Sequence, residues 1–235
     1  MKYNIGVLSD LDILSLIENK NIYSQKIINQ KQIQPASIDL RISRDVWRVK
    51  SSFLPGSKNT VAKKIERLSM HKIDLKDGAV LEKGCVYIAK INESLDLPKE
   101  ISATANPKSS TGRLDIFTRL ITDYATEFEN IPLGYSGPLY IEISPRTFSV
   151  LLKENVCLNQ IRFKFGMKTL NDEETKSLQK REGLIKGALG ELNIKDGVPL
   201  SVNLAGDDKG LVGFRARKHT NLIDVEKISF YNVED

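Results

Sequence analysis

The segment Lys108–Arg113 brings together side chains that suit an oxygen-rich anion. Its sequence, Lys-Ser-Ser-Thr-Gly-Arg, supplies two cations, three hydroxyl groups and the backbone amides around a glycine. A triphosphate would satisfy this set, because charge-assisted hydrogen bonds are strong and a guanidinium can bind through two nitrogens. The Gly-x-x-x-x-Gly-Lys spacing of a P-loop is absent. Such a string is also common in exposed loops, so the segment alone leaves a phosphate site and a solvated loop equally open.

Glu142 is the second candidate for chemistry. It is the only charged residue in the segment Leu139–Ser144, whose other members are apolar, aromatic or hydroxyl-bearing. Strand alternation alone favours a side chain that points to solvent. The alternative is a carboxylate held in a pocket, where desolvation makes such a group a useful acid and base. Both interpretations stay open on this segment alone.

Three helices are predicted around these segments. Ser9 can cap the first, with Asp12 at the capping-box position. The second places Val61 and Ile65 on one face. The third begins at Asn171, and three acidic residues follow in its first turn, where they favour the positive end of the helix dipole. These helices are expected to be peripheral.

Short apolar and aromatic segments, separated by turn residues, dominate the remainder of the first 165 residues. Such a pattern predicts a mainly β protein, built as an antiparallel sandwich or barrel. We place one β domain at residues 1–165 and a C-terminal extension of helix and strand at 166–235. The predicted strands are Ile38–Ile42, Val46–Lys50, Ala79–Leu81, Cys85–Ile91, Ile101–Ala105, Leu139–Ser144, Ser149–Leu152 and Gln160–Phe165.

Composition excludes several classes of protein. No apolar run approaches the roughly 18 to 20 residues of a membrane span, and the N-terminus lacks the features of a secretory signal, so we expect a cytoplasmic protein with no membrane partner. The net charge of +5 suits an anionic ligand. The lysines are scattered rather than arranged in a stripe with aromatics, so no nucleic-acid partner is predicted. Cys85 and Cys157 are expected to stay unpaired, as small buried hydrophobes.

Three motifs occur in a distinctive order: Gln34–Arg41, then Lys108–Arg113, then Gly134–Gly137 leading into the strand of Glu142. In order and spacing they resemble those of deoxycytidine triphosphate (dCTP) deaminases, which belong to the deoxyuridine-triphosphatase superfamily. The longer, alphaproteobacterial-type branch is the most similar. The resemblance to that branch extends through Phe53–Gly56, Ala105–Lys108, Ile143–Phe148 and Gly210–Arg215. It also implies that a second barrel-like half, carried by that branch after this region, is missing from the present chain.

The resemblance implies a distorted antiparallel β-barrel, assembled as a homotrimer or pseudo-trimer with active sites at subunit interfaces. The implied reaction is hydrolysis of dCTP to deoxyuridine triphosphate (dUTP) and ammonia, in deoxypyrimidine biosynthesis, with Mg²⁺ carried by the triphosphate. Glu142 would be the general base and acid, while Ser109 and Arg113 would position the water and the C4 region. Lys108 and Ser110 would face the phosphates.

Further residues are implied to bind the nucleotide or to support its site. Asp39 would brace the site rather than touch the substrate. The backbone of Ile121, Thr122 and Asp123 would read the base. A cluster that begins at Phe214 is expected either to close over the triphosphate or to be a solvated basic strand. Glu129 is assigned as the acid that contacts the sugar. The remaining residues assigned to nucleotide binding are Gln160, Arg215 and Lys218.

A zinc-dependent mechanism is disfavoured by the sequence itself. Zinc deaminases need a His-x-Glu element and a Pro-Cys-x-x-Cys pair to hold the metal that activates water. Neither His71 nor His219 is followed by such a glutamate, and the two cysteines are 72 positions apart. Acid/base catalysis by a carboxylate would then have to activate the water. We therefore predict no zinc and no metal ligands among the protein side chains.

Two other functions remain as alternatives. A deoxynucleoside triphosphate diphosphatase, or a bifunctional deaminase and diphosphatase, would need an aspartate in a Gly-x-x-Asp turn before the Tyr-Ser-Gly element. Ile131–Gly134 occupies that stretch instead, as Ile-Pro-Leu-Gly. A non-catalytic nucleotide-binding regulator is the third possibility, favoured if loss of the second half removed turnover.

Overall fold

The computed structural model describes residues 3–166, 169–185, 192–216 and 221–227. The chain divides into two compact units, one formed by Met1–Gly166 with Ala216–Asp235 and the other by Met167–Arg215. The strands are β1 Gly6–Val7, β2 Ile22–Ser24, β3 Ile33–Gln34, β4 Ser37–Val49, β5 Ser69–Asp74, β6 Ala79–Leu81, β7 Tyr87–Asp96, β8 Ile101–Pro107, β9 Ile116–Thr122, β10 Asn130–Ile131, β11 Ser136–Pro145, β12 Val150–Leu152, β13 Cys157–Phe165 and β14 Ile223–Asp224. The helices are α1 Asp10–Glu18, α2 Val61–Leu68, α3 Ser109–Arg113 and α4 Asp172–Glu182, with a 3₁₀ turn at Gln30–Gln32.

One large antiparallel sheet makes up most of the first unit. Its main strands follow the order β10-β8-β13-β4-β7-β11-β9, and β6, β12 and β14 form a smaller sheet. The predicted strands Ile38–Ile42 and Val46–Lys50 are a single strand, β4, whose first part pairs with β13 and whose second part pairs with β7 and β5. This bent strand turns the sheet back on itself. The predicted mainly β, barrel-like fold is confirmed.

Glu129 links β8 and β9, which lie near opposite ends of the large sheet. Its backbone N–H donates to the carbonyl of Leu120 in β9 over 3.0 Å, and its carbonyl accepts from the N–H of Ala105 in β8 over 2.9 Å. Glu129 reaches both strands with a left-handed backbone, at φ 66°, a conformation that non-glycine residues rarely adopt. An edge strand of an open sheet leaves its backbone N–H and C=O groups unpaired. Because the backbone of Glu129 pairs with both β8 and β9, it nearly closes the barrel.

Apolar residues pack on both faces of β11. Ile141 and Ile143 point into the barrel core, whereas Tyr140 lies in a second cluster on the outer face, with Val61 and Ile65 of α2. Alternate residues of a strand point to opposite faces. Because α2 and the chain before it cover the outer face of this strand, a residue there is also buried. Glu142 lies on this outer face, so α2 and the chain before it can shield its side chain from solvent.

The predicted helices are present. The Ser9 and Asp12 side chains form the expected capping box of α1. Thr60 caps α2, and Asn171 caps α4. Among the helices within the described residues, none is long and apolar enough to span a membrane. Both Cys85 and Cys157 are free thiols.

Several local predictions are wrong. A solvated loop was one of the two interpretations left open for Lys108–Arg113, and Ser109–Arg113 instead forms the short helix α3. Cys85 was predicted to begin a strand, but β7 begins at Tyr87. Cys85 instead ends the turn before β7, where its N–H donates to the carbonyl of Glu82. Strands β5 and β9 were not predicted.

Candidate active site

Glu142 is buried despite facing the outside of the barrel. It lies in β11 opposite Arg119 of β9 on one side and Ile88 of β7 on the other. Its side chain is 2% exposed. The expectation from alternation alone, a solvent-facing carboxylate, is therefore wrong. A buried charge is tolerated when it is paired, and the strand register supplies the partner.

Arg119 is that partner. Its Nη2 donates to Oε1 of Glu142 over 2.7 Å, and its Nε donates to the same oxygen over 3.2 Å. The guanidinium carbon lies 3.5 Å from the centre of the Phe128 ring, a distance typical of a cation–π contact. Nη2 also donates to the hydroxyl of Ser52 over 2.8 Å. The guanidinium is thus held from three directions.

The second carboxylate oxygen of Glu142, Oε2, is buried and has no hydrogen-bond partner among the described residues. The hydroxyl of Ser144, two residues further along the same face of β11, is in the same condition. Buried polar atoms are nearly always hydrogen-bonded, so each exception needs an explanation. An acceptor of this kind is available to a ligand or to a proton. The arrangement suits a carboxylate that takes up and releases protons.

Helix α3 is fixed to the barrel by its buried residues. Two groups donate to the carbonyl of Leu158 in β13. They are the hydroxyl of Thr111, over 2.8 Å, and the backbone N–H of Lys108, also over 2.8 Å. The Lys108 ammonium forms an ion pair with Asp39, a residue of β4 that is 4% exposed. Asp39 therefore touches the predicted phosphate segment, as a bracing residue would.

The other polar side chains of α3 point to solvent, unlike that of Thr111. Ser109, Ser110 and Arg113 are exposed. Within the part of the chain that the structure describes, no hydrogen bond or ion pair connects any of them to Glu142, whose carboxylate contacts Arg119 alone. The structure thus places the two predicted catalytic groups in one β unit without bringing them into contact inside one chain.

A cavity of about 410 Å³ opens beside Thr122 and Asp123, a size typical of small-molecule sites. It is lined by residues 122–127, 130, 132 and 134–136. The Asp123 carboxylate accepts from the N–H of Val61 over 2.7 Å, and its own N–H donates to the hydroxyl of Tyr135 over 3.2 Å. Thr122 and Asp123, two of the three residues predicted to read the base, therefore line this cavity. Ile121 and Thr122 are themselves buried.

The Glu129 side chain has a structural contact. Its Oε1 accepts from the N–H of Leu120 over 3.1 Å, and its Oε2 is buried without a partner among the described residues. Burial raises the pKa of Glu129 to about 7, against the smaller opposing effects of the Leu120 N–H and the Arg119 charge. The lining of the cavity includes Glu127 but not Glu129. Contact between Glu129 and a sugar stays a prediction.

Three further residues, Gln160, Arg215 and Lys218, were predicted to bind the nucleotide. Gln160 is half-buried in β13, and its Oε1 accepts from the hydroxyl of Ser37 over 3.1 Å. Arg215 is exposed and belongs to the second unit. Lys218 lies outside the described residues. In the described ranges, no three His, Cys, Asp or Glu side chains cluster closely enough to hold a metal ion.

Arg119, Ser52 and Phe128 were missed by the sequence analysis. Arg119 stands in Ile-Phe-Thr-Arg-Leu-Ile-Thr, where both faces of the strand carry apolar residues and a single arginine suggests an exposed edge. Only the register of β9 against β11 reveals its role, because that register places it opposite Glu142. Ser52 and Phe128 come from irregular segments, and no spacing rule connects them to the strand.

Two family models match the chain, and together they cover most of it. Residues 4–167 match the N-terminal domain of 2′-deoxycytidine 5′-triphosphate deaminase. Residues 171–235 match the C-terminal domain of the same enzyme. The first match alone spans more than half of the chain and includes β11, α3 and the cavity.

Similar proteins agree with these matches. The crystal structure of 2′-deoxycytidine 5′-triphosphate deaminase from Agrobacterium tumefaciens superposes with a TM-score of 0.92 at 46% identity, covering 99% of this chain and 69% of that one. A dCTP deaminase named dUMP-forming, from Methanosphaera stadtmanae, is 29% identical over 143 residues, which are 60% of this chain and 68% of that protein. The dCTP deaminase of Halorubrum lacusprofundi is 24% identical over 160 residues, 67% of this chain and 76% of that protein. The chain belongs to the 2′-deoxycytidine 5′-triphosphate deaminase family.

Proposed function

We propose that this protein hydrolyses dCTP to dUTP and ammonia, with Glu142 as the general base and acid. One observation carries the proposal: a buried carboxylate whose Oε1 is held by Arg119 while its Oε2 has no partner among the described residues. A positioned carboxylate of this kind can take a proton from water and return it during the reaction. Family membership supplies the substrate, since the related enzymes are named for dCTP.

In the proposed reaction, Glu142 Oε2 takes a proton from water as the hydroxide adds to C4 of cytosine. The proton passes to N3, which gives a tetrahedral C4 that carries both a hydroxyl and an amino group. A second transfer through the same carboxylate moves the hydroxyl proton to the amino group. Ammonia leaves, and C4 becomes the carbonyl of uracil. Ser109 and Arg113 would position the water and the C4 substituents.

The triphosphate would bind to the donors of α3 and its neighbour. Lys108 and Ser110 offer a cation and a hydroxyl, which fit an anion that carries its own Mg²⁺. The nucleoside would occupy the cavity beside Thr122 and Asp123, where backbone groups can read the base. Glu129, Gln160, Arg215 and Lys218 complete the proposed nucleotide-binding set.

The reaction is proposed to proceed without zinc. The donor set of the described residues supports this, because no group of three His, Cys, Asp or Glu side chains lies within reach of one ion, whereas catalytic zinc sites use three protein ligands. Water activation then rests on Glu142. Dialysis against a zinc chelator, followed by restoration of Mg²⁺, should leave ammonia release unchanged.

A homotrimer with shared sites would bring α3 and Glu142 together. The exposure of Ser109 and Arg113, without a contact to Glu142 in the described residues, supports a site completed by a second subunit. Mixing two inactive variants, Arg113→Ala and Glu142→Gln, tests this. If each site takes one residue from each subunit, random reassembly restores about a quarter of the wild-type activity. No restoration after verified exchange of subunits contradicts shared sites.

A bifunctional deaminase and diphosphatase is the second candidate. It is favoured by the names of relatives such as the dUMP-forming enzymes of Methanosphaera stadtmanae and Methanothermobacter thermautotrophicus. Against it, the stretch Ile131–Gly134 holds no aspartate to activate water at the α-phosphate. A non-catalytic regulator is the third candidate.

One assay separates these functions. The protein is incubated with dCTP and Mg²⁺, while ammonia, dUTP, deoxyuridine monophosphate (dUMP) and pyrophosphate are followed together. Ammonia with dUTP and no pyrophosphate supports the proposed function. Ammonia with stoichiometric pyrophosphate identifies the bifunctional enzyme. Binding of dCTP without any product identifies the regulator.

Glu142→Gln is the most specific variant for the mechanism. It keeps the shape and one acceptor but removes the group that exchanges protons, so kcat should fall by about 10²- to 10⁴-fold. Glu154→Gln is a suitable control, because Glu154 pairs with Lys26 on the surface. Full activity of Glu142→Gln would exclude Glu142 as the general base.

A further inference from the structure

Arg119 contacts Glu142 in an unusual manner. An arginine and a carboxylate commonly pair fork to fork, with two parallel bonds to two oxygens. Here Nε and Nη2 both donate to Oε1, over 3.2 and 2.7 Å. Oε2 receives nothing from Arg119 or from any other described residue. A pair built only to neutralise a buried charge would satisfy both oxygens, so the asymmetry itself calls for an explanation.

We propose that Arg119 is a positioning residue for the reaction: it fixes Oε1 of Glu142 and thereby reserves Oε2 as the oxygen that exchanges protons. The inference rests on the proposed function and deepens it. A carboxylate that is free to rotate can present either of its oxygens to the water. When Arg119 holds Oε1, this rotation is prevented and only Oε2 faces the water. The guanidinium charge also stabilises the anionic carboxylate before the proton is taken.

The guanidinium is itself held in the orientation that this role needs. The Ser52 hydroxyl accepts from Nη2 over 2.8 Å, and the Phe128 ring covers one face at 3.5 Å. The Phe117 ring lies 5.0 Å away. Ser52 belongs to the chain between β4 and α2, the region that also covers the outer face of β11. The side chain of Arg119 is 28% exposed, so the aromatic contact and the hydroxyl restrict a group that would otherwise be mobile.

A purely structural ion pair is the competing interpretation. Buried pairs often contribute little net stability, while removal of one partner is costly. The two interpretations differ in what each variant changes. A structural role predicts a loss of stability with kinetics unchanged in the molecules that remain folded. A positioning role predicts a loss of kcat that depends on Glu142.

The test uses Arg119→Ala, Arg119→Lys and Ser52→Ala in the full chain, with Arg44→Ala as the matched control. Arg44 pairs with Asp74 on the surface of β4 and β5, and its loss should leave kcat unchanged. For Arg119→Ala we expect kcat to fall by about 10- to 100-fold, the effect of one hydrogen-bonded charge, with KM changed by less than about threefold. Ser52→Ala should lower kcat by a smaller factor. If Arg119→Ala does not fold, Arg119→Lys, which lacks the two-nitrogen contact, is evaluated in the same way.

Two further measurements separate positioning from structure. Guanidinium ion at millimolar concentration should restore part of the activity of Arg119→Ala, since it can occupy the space between Glu142 and Phe128. In the Glu142→Gln background, Arg119→Ala should cause no further loss, because residues that act as a unit are non-additive. A loss equal to that in the wild-type background would show that Arg119 acts independently and would overturn the inference.

The outcomes distinguish the inference from the proposed function. An active wild-type protein whose Arg119→Ala variant keeps its kcat overturns the positioning role alone. A wild-type protein that binds dCTP and releases no ammonia overturns the proposed function, and the inference with it. A reduced kcat, partial rescue by guanidinium and no further loss in Glu142→Gln together support both.

Discussion

Glu129→Gln tests whether the carboxyl of Glu129 is buried in the folded protein. The Glu129 side chain accepts from the N–H of Leu120, and its second oxygen is buried without a partner among the described residues. Burial raises the pKa of this carboxyl from its ordinary value of 4.5 to about 7. Glutamine keeps the acceptor for Leu120 and carries no charge. The substitution therefore removes the titration and retains the hydrogen bond.

The sign of the effect follows from proton linkage. Because the pKa of Glu129 is higher in the folded state than in the unfolded chain, the folded protein holds an extra proton between about pH 4.5 and 7. The free energy of unfolding therefore falls as the pH rises through this window. The raised pKa corresponds to about 3 kcal/mol at roughly 1.4 kcal/mol per pKa unit. Screening of this partly exposed group reduces the expected loss to about 2 kcal/mol.

Urea unfolding at pH 5 and pH 8.5, at one protein concentration, measures the effect. We expect Glu129→Gln to match the wild type at pH 5 and to exceed it by about 2 kcal/mol at pH 8.5. Glu127→Gln is the control, because Glu127 is exposed and pairs with Asn130. Equal stability differences at the two pH values would refute the reasoning. A raised KM for Glu129→Gln would support the predicted sugar contact.

Two further predictions concern the supports of the site. Glu93→Gln should destabilise the fold by about 3 kcal/mol or more, because Glu93 is fully buried and accepts from the Arg41 side chain over 2.7 Å; an unchanged midpoint in urea would contradict this. Asp123→Ala should cost about 1 kcal/mol by removing the acceptor for the N–H of Val61 at the start of α2. Asp123→Asn, which keeps that acceptor, should retain most of the stability, and equal losses in the two variants would contradict the capping role.

The sequence predicted those features whose cause is local. The capping box of α1 needs only Ser9 and Asp12, three residues apart, and it forms as predicted. The mainly β fold followed from short apolar segments and turns. Helix α3 was missed because Ser, Thr and Gly are weak helix formers. It is fixed by a distant contact instead, from Thr111 to the Leu158 carbonyl.

Features that depend on strand pairing were not predictable. Strand β9 has buried residues on both faces, so its sequence shows no alternation. The pairing of Glu142 with Arg119 depends on the register between β9 and β11. The ion pair between Lys108 and Asp39 joins residues that lie 69 positions apart. The candidate catalytic residue could be named from the sequence, but its partner could not.

Isotope transfer from water tests the central claim most directly. A single turnover of dCTP in H₂¹⁸O, with Mg²⁺ present and zinc removed by a chelator, is followed by mass spectrometry of the products. Attack on C4 by a water that Glu142 activates places one ¹⁸O in the carbonyl group at C4 of uracil and none in the phosphates. Glu142→Gln should slow this incorporation. Label in the α-phosphate with an unlabelled base, or incorporation into uracil that Glu142→Gln leaves at the wild-type rate, would contradict the account.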